Sequence, residues 1–316
     1  MFDENSDLNN VLRVYAPAKI NLHLEILGIR NDGYHELAMV MQSIELTDEL
    51  YFKERKDNLI NLETDDKNLR TNEENLIIKA ANLLKGRTKE LVAGVDIYLR
   101  KRIPIGAGLA GGSSDGMGAL VGLNKFWQLG FSEKELESFA SELGSDMPFC
   151  LKGGTQLCFG RGGDLEAFAG DLSSMAVLLV KDPLVSISTP WAYKRYREMH
   201  GKNYMNSEYE FDERRKCLRD SNWLQSLSSN PPEIRNDLQK IIESEVKAVK
   251  RSLDLLYSFP GSIAVAMSGS GPSCFALYSD LNEARAVFEH NQMRNQEAGL
   301  KCWCSPLRSR GVSFDQ

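Results

Sequence analysis

The chain reads as two α+β domains, residues 1–170 and 171–316, with a cleft between them. Three observations predict this. A length of 316 residues suits one large domain or two ordinary ones. Strand-like runs are followed by helix-like runs within each half, an α+β order, and a cleft between two such units is a natural ligand site. A first unit closes with the strand-like Leu157, Cys158 and Phe159, and a second opens near residue 171 with the buried-looking run 176–180.

Each element has a local reason. Residues 11–28 alternate as a strand does and turn at Gly28. Asp32-Gly33 is a hairpin signal, and residues 35–55 supply the partner strand. Residues 72–85 predict a helix with Asn72 as cap, Leu76, Ala80, Leu83 and Leu84 as apolar stripe, and Gly86 as stop. A strand over 94–101 then leads through a glycine-rich loop into a helix ending near Trp127. Ser132 and Glu135 form a capping box, opening a helix striped by Leu136, Phe139, Ala140 and Leu143 and stopped by Gly144. Thr189-Pro190 opens a short helix containing Trp191 and Tyr193. Residues 200–230 are polar and weakly periodic, a loop region with short helices, and 232–257 predict one helix. A strand over 263–267, a loop over 268–273, a strand over 274–278, a helix over 280–290 and a strand near 301–306 complete the chain.

The densest signal is Pro104-Ile105-Gly106-Ala107-Gly108-Leu109-Ala110-Gly111-Gly112-Ser113-Ser114. Glycine admits left-handed backbone and lets a ligand reach the main chain. A strand, a glycine loop and a helix start place backbone N–H groups at the positive end of a helix, which suits phosphate. No Gly-Lys-Ser/Thr occurs, so this is not a Walker A loop. Gly106-x-Gly108-x-x-Gly111 matches the dinucleotide fingerprint only formally. The strand before it carries Asp96, Arg100, Lys101 and Arg102, unlike a buried parallel strand, and the expected acidic position falls in a helix start. The protein-kinase pattern fails because Ser113 stands where Val is required and no His-Arg-Asp loop exists. A purely structural turn is the remaining alternative. Asp146, in Ser145-Asp146-Met147-Pro148, reads on spacing alone as a helix N-cap as readily as a site residue.

Bulk composition narrows the classes. Hydrophobic residues at 42% and charged residues at 26% are those of a soluble globular protein. A net charge of −6, without basic runs carrying aromatics, argues against a nucleic-acid surface. The longest purely apolar run, 175–180, is far too short to cross a bilayer, and the polar, acidic start resembles no signal or transit peptide. Six cysteines without a C-x-x-C pair argue against a zinc site or disulfide framework and for reduced thiols in a cytoplasmic protein. No metal-ligand set stands out, and nothing bears on oligomeric state.

Three blocks together resemble the GHMP small-molecule kinases: Ala18-Lys19-Ile20-Asn21-Leu22, the glycine loop, and Ser268-Gly269-Ser270-Gly271. Asp32-Gly33-Tyr34-His35-Glu36-Leu37, 143–149 and Asn236-Asp237-Leu238 narrow the resemblance to the branch acting on a cytidylated methylerythritol in non-mevalonate isoprenoid synthesis. It spans residue 16 to about 278. It implies a two-domain GHMP kinase fold, the first domain ribosomal S5 domain 2-like and the second ferredoxin-like, with ATP as co-substrate and Mg²⁺ required. The reaction implied is phosphorylation of the 2-hydroxyl of the methylerythritol moiety.

The resemblance implies that the glycine loop, residues 104–114, holds the ATP phosphates, with Ser113 and Ser114 adding hydroxyls. It makes Asp146 the acceptor of the substrate proton and Lys19 the cation beside it. Alone, Lys19 would be a solvated strand lysine. Asn21, two residues on, shares its face and either contacts substrate or is an exposed polar residue. Tyr34, His35 and Tyr193 would recognise the cytosine; Tyr193 and Trp191 would otherwise be core. One departure stands out: Ala110 replaces a glycine common in the family loop, a change that matters if that position needs positive φ. The alternatives are another GHMP kinase, of homoserine or mevalonate type, and a catalytically silent nucleotide-binding protein.

Overall fold

The structure, a computed structural model, describes residues 11–88, 91–168, 170, 172–221 and 234–315. A long hairpin founds the first sheet: β1 (Leu12–Ile29) and β2 (His35–Arg55), turning through Gly33 at φ 84°. Strand β2 is long enough to serve two partners. Its first part, 37–42, pairs with β5 (Thr155–Gly160), and its second part, 49–55, pairs with β4 (Gly94–Arg100). Strand β3 (Ile60–Thr64), not foreseen from sequence, lies parallel to β4, and β6 (Asp164–Ala167) extends the sheet beyond β5. Helix α1 (Leu76–Arg87) makes the β3–β4 crossover that parallel pairing demands.

Helix α1 starts later than predicted. Asn75 caps it, accepting from the Ile77 N–H at 2.9 Å, while Asn72 accepts from Glu74 in the preceding turn. It also passes through Gly86 to a Thr88 cap, because Gly86 sits where nothing crowds the helix and keeps helical backbone. Helix α2 (Gly111–Phe126) packs directly on the sheet. A Cβ at Gly122 would lie 2.4 Å from the Phe52 ring, so only glycine permits this approach. Helix α3 (Glu133–Leu143) carries the predicted capping box, and Gly144 follows it. Helix α4 (Met147–Lys152) comes next, headed by Asp146.

The second sheet has the order β10-β7-β9-β8, all antiparallel: β7 (Ala176–Lys181), β8 (Ala264–Met267), β9 (Cys274–Tyr278) and β10 (Lys301–Pro306). Helices α5 (Thr189–His200) and α6 (Glu208–Arg219) follow β7. The helix predicted over 232–257 is two helices, α7 (Gln239–Glu245) and α8 (Lys247–Tyr257). Val246 divides them at φ −119°, ψ 93°, and its N–H closes α7 on the Ile242 carbonyl at 2.7 Å. Residues 232–233 of that prediction, and 222–230 of the polar region, lie outside the described residues. Helices α9 (Leu281–His290) and α10 (Gln292–Glu297) precede β10. The short β11 (Ser313–Phe314) then returns to the first sheet as the neighbour of β1.

The apolar core is shared. One buried cluster contains Val14, Leu50 and Phe52 from the first sheet together with Leu178, Val180 and Cys274 from the second. The segment before α7 also docks on β1: the Leu24 N–H donates to the Arg235 carbonyl at 2.8 Å and the Asp237 N–H to the Leu24 carbonyl at 3.0 Å.

Candidate active site

Strand β1 carries a row of buried polar side chains, Lys19, Asn21, His23 and Glu25, while Ala18, Ile20 and Leu22 enter the apolar core. Alternation on a strand separates the two sets. The Lys19 ammonium donates to Asn21 Oδ1 at 2.7 Å and to the Gly108 carbonyl at 3.2 Å. Both acceptors are neutral. A buried cation whose hydrogen bonds, among the described residues, go to neutral oxygens is poised for an anion. Glu25, further along the row, is answered differently: Arg214 of α6 and Arg235 both bond to it. Burial pushes its carboxyl up, but the His23 hydrogen bond and the two guanidiniums together hold it below the usual carboxylate range.

The glycine loop lies against that lysine. The Lys19 N–H donates to the Leu109 carbonyl at 3.1 Å. Gly106, Gly108 and Ala110 all take positive φ, at 59°, 73° and 55°. Ala110 therefore occupies a position that favours glycine, and it heads α2 with no side-chain cap. At Gly108 glycine is obligatory, since a Cβ would stand 2.2 Å from the Ser268 carbonyl oxygen. The 268–273 loop closes this side: Ser268 Oγ donates to the Gly108 carbonyl at 3.0 Å, and a Cβ at Gly269 would lie 3.2 Å from Lys19 Nζ.

Within the loop, Ala107 and Leu109 are buried, Pro104 is half-buried, and Ile105, Gly106 and Gly112 face solvent. Ser113 is half-buried at the first turn of α2. Ser114 is wholly buried and turns inward, donating to the Pro17 carbonyl at 2.7 Å, which ties α2 to β1. Beneath the loop sits a buried trio. Lys101 Nζ bonds both Asp48 and Asp115, and Asp48 also accepts from the N–H groups of Arg102 at 2.5 Å and Ile103 at 2.8 Å. Burial pushes the Asp115 carboxyl well above its ordinary range, with Lys101 pulling it down and Asp48 pushing it up. A Cβ at Gly111 would lie 2.9 Å from Ile103 Cγ2 and 3.1 Å from Lys101 Nζ, so the loop rests directly on this trio.

Asp146 heads α4 but makes no side-chain capping bond, so the simple N-cap does not describe its carboxylate. Its carboxylate and Lys19 share neighbours. Asn21 Nδ2 reaches Met39 Sδ at 3.5 Å, and the Cβ position at Gly162 lies between Met39 Cε, 2.9 Å away, and Asp146 Oδ1, 3.9 Å away. The buried thiols of Cys150 and Cys158 feel both charges. Burial, and then Asp146, push each thiol up, while Lys19 opposes. Tyr193 of α5 is drawn into the same field: burial, then Asp146 and Asp237, push its hydroxyl up.

The aromatic residues divide. The His35 ring lies 5.0 Å from the Tyr193 ring, and His35 Nε2 is 3.0 Å from the Tyr204 hydroxyl. Tyr34 is 54% exposed, with the Arg161 guanidinium 3.7 Å over its ring. Its N–H is held by Asp32 Oδ1 at 3.0 Å. Tyr193 and Trp191 also pack against the core. Beside His35, the buried Glu36 accepts from Arg30, Arg215 and the Gly160 N–H, and so fixes this end of β2.

The chain matches the GHMP kinases N-terminal domain model over residues 75–154 and the GHMP kinases C-terminal model over 212–293. A curated 4-diphosphocytidyl-2-C-methyl-D-erythritol kinase of Prochlorococcus marinus (strain MIT 9303) is 56% identical over 307 residues, 97% of this chain and 96% of that one. The chain belongs to the 4-diphosphocytidyl-2-C-methyl-D-erythritol kinase family. A member from Synechococcus sp. (strain CC9902) is 57% identical over 96% of this chain and 99% of its own. A crystal structure of 4-(cytidine 5'-diphospho)-2C-methyl-D-erythritol kinase superposes with a TM-score of 0.72 at 27% identity, covering 93% of this chain and 98% of that one.

As a member of this kinase family the chain is a small-molecule phosphotransferase of α+β fold, and the family implies ATP as co-substrate. Among the described residues no helix is long and apolar enough to cross a membrane. Sequence reasoning passed over Met39, Tyr204 and the pairing of Lys101 with Asp48 and Asp115. The trio left two traces, cationic Lys101 directly before the loop and Asp115 in the Ser-Ser-Asp run at the helix entrance; Tyr204 left none in its polar surroundings.

Proposed function

We propose that the chain transfers the γ-phosphoryl group of ATP to the 2-hydroxyl of 4-diphosphocytidyl-2-C-methyl-D-erythritol. What supports this reading is a buried lysine, Lys19, bonded to two neutral oxygens beside a left-handed glycine loop, and an uncapped carboxylate, Asp146, whose charge acts with that of Lys19 on the same two buried thiols. Phosphoryl transfer asks the protein for position and charge rather than covalent chemistry. Asp146 accepts the proton of the tertiary hydroxyl as the oxygen attacks phosphorus. Lys19 draws charge on the transferring group. Asn21 orients Lys19 through their 2.7 Å bond.

The backbone of residues 104–114 cradles the phosphates at the head of α2. Ser113 offers a partly open hydroxyl, the hard oxygen donor that a magnesium–nucleotide complex takes, and Ser114 holds the loop in place through Pro17. Magnesium, when bound, neutralises phosphate charge. Tyr34, His35 and Tyr193 form the cytidine site: an aromatic face stacks on the base, and the imidazole or nearby backbone addresses its polar edge. The 5.0 Å approach of His35 to Tyr193 supports one wall of it.

The test is ATP turnover with the purified chain against the cytidylated alcohol, homoserine and mevalonate. Turnover confined to the cytidylated alcohol is expected. Equal turnover on homoserine or mevalonate, or none on any, would overturn the reading.

A further inference from the structure

His35 stands between two tyrosines, and only one of them can set its hydrogen-bonding character. Tyr193 meets it ring to ring, with planes 35° apart. Tyr204 meets it edge-on, at 88°, with its hydroxyl 3.0 Å from Nε2. Tyr204 is itself anchored. Its ring stacks on Tyr196 at 6.2 Å and 18°, Tyr196 bonds Asp237 at 3.2 Å, and Asp237 takes the Ile26 N–H of β1 at 2.8 Å. A line of contacts thus runs from β1 through α5 to the hydroxyl that touches the imidazole.

Burial, with Arg197 nearby, pushes the His35 imidazolium down to about 4, so the ring is neutral at physiological pH. Burial pushes the Tyr204 hydroxyl up to about 12, so it keeps its proton. A neutral imidazole has one N–H donor and one lone-pair acceptor. A phenol is the better donor of this pair, and an imidazole nitrogen the better acceptor. The Tyr204 hydroxyl therefore donates to Nε2, and the ring proton resides on Nδ1.

We propose that Tyr204 is a specificity-determining residue: by holding His35 as its Nδ1–H tautomer it makes the imidazole a donor, matched to cytosine and mismatched to uracil. This deepens the function proposed above and rests on His35 lying at the base. Cytosine offers N3 as an acceptor. Uracil offers an N3–H there and would face donor with donor. A binding site built for one polar pattern rejects the analogue that leaves a group unpaired. Tyr204 acts only through His35, so it is a positioning residue and not a catalytic one.

The experiment compares wild type, Tyr204→Phe and His35→Ala. Each is assayed for kcat and KM with the cytidine-diphosphate substrate and its uridine-diphosphate analogue, and for KM with ATP. Two-dimensional 15N NMR reads the His35 tautomer. Tyr204→Phe keeps the ring edge and removes one hydroxyl, so folding is retained. The expected result is an Nδ1–H signature in wild type that becomes mixed in Tyr204→Phe. Preference for the cytidine substrate falls about tenfold through KM, and KM for ATP stays unchanged. Selectivity lost in both variants supports the proposal. Selectivity lost in His35→Ala alone, or an Nε2–H signature in wild type, overturns the role of Tyr204 and leaves the cytidine site standing. Selectivity retained in both removes the cytidine site as well.

Discussion

Replacing Ala110 by glycine should make the protein more stable, against the usual expectation for a glycine introduced at a helix head. Ala110 sits at φ 55°, ψ 26°, in the left-handed region. An L-residue with a Cβ pays about 1–2 kcal/mol there, because the Cβ crowds the following carbonyl oxygen. Glycine escapes that crowding but adds freedom to the unfolded chain, which costs about 0.4–1 kcal/mol. The difference is a net gain of about 0.5–1 kcal/mol. No hydrogen bond goes with the methyl: there is no side-chain cap, and the first helical bond, Ser114 N–H to the Ala110 carbonyl at 2.9 Å, is backbone. Urea unfolding should show a higher midpoint at unchanged slope. Thermal unfolding should rise by about 1–2 °C, small because the chain is long. KM for ATP should stay the same or fall slightly. A midpoint lower than wild type by more than the error would show that Ala110 is not strained, and the account of the loop would be wrong.

Other changes test the site directly. Asp146→Asn should lower kcat by about 10²–10⁴ with ATP affinity nearly intact, because the amide keeps shape but accepts no proton; near-normal turnover would return Asp146 to a structural role. Lys19→Ala should also lose mainly turnover, and unfolding in its place would mark the lysine as structural. Gly111→Val should harm ATP binding more than cytidylated-substrate binding, since its Cβ lands 2.9 Å from Ile103 and 3.1 Å from the Lys101 ammonium; equal loss of both ligands would indicate misfolding. His35 makes a pH prediction. Burial, with Arg197, lowers its folded value from 6.5 to about 4, so below pH 6.5 the unfolded chain takes up a proton that the folded chain refuses. That contribution to stability is complete above 6.5 and drains away as pH falls toward 4. Comparing urea midpoints of wild type and His35→Asn across that window should show the variant losing less on acidification, and parallel curves would contradict the burial argument.

Much of this was legible because it is written locally. Asp32-Gly33 announces the hairpin, Ser132 and Glu135 announce the third helix, and the glycine run announces a left-handed loop at a helix head, each by rules that act within a few residues. The family resemblance then placed Lys19 and Asp146, and the structure puts their charges on the same two thiols. What escaped depends on distant partners. Asn75 takes the cap three residues after Asn72, which is spent on the Glu74 N–H in the preceding turn. Val246 breaks a pattern that looks continuous, its extended backbone ending α7 and heading α8. Ser114 reads as a phosphate ligand beside Ser113, but helical rotation turns it onto Pro17. Tyr204 lies in a polar stretch with no period, 169 residues from the histidine it touches.

The return of the chain to its first sheet has a consequence for synthesis. The segment that ends in β11 runs beneath α4: the Gly311 N–H donates to the Lys152 carbonyl at 3.1 Å and the Val312 N–H to the Cys150 carbonyl at 2.9 Å. It is threaded without slack, since a Cβ at Gly153 would strike the Gly311 nitrogen at 1.9 Å. The helix that presents Asp146 is therefore braced by residues made some 160 positions later. A ribosome that has delivered the first half has delivered the lysine, the glycine loop and the aspartate, yet not the strap that seats the aspartate's helix. On the proposed function, a stalled or shortened polypeptide would hold Lys19, the glycine loop and Asp146 and still lack the strap that braces α4.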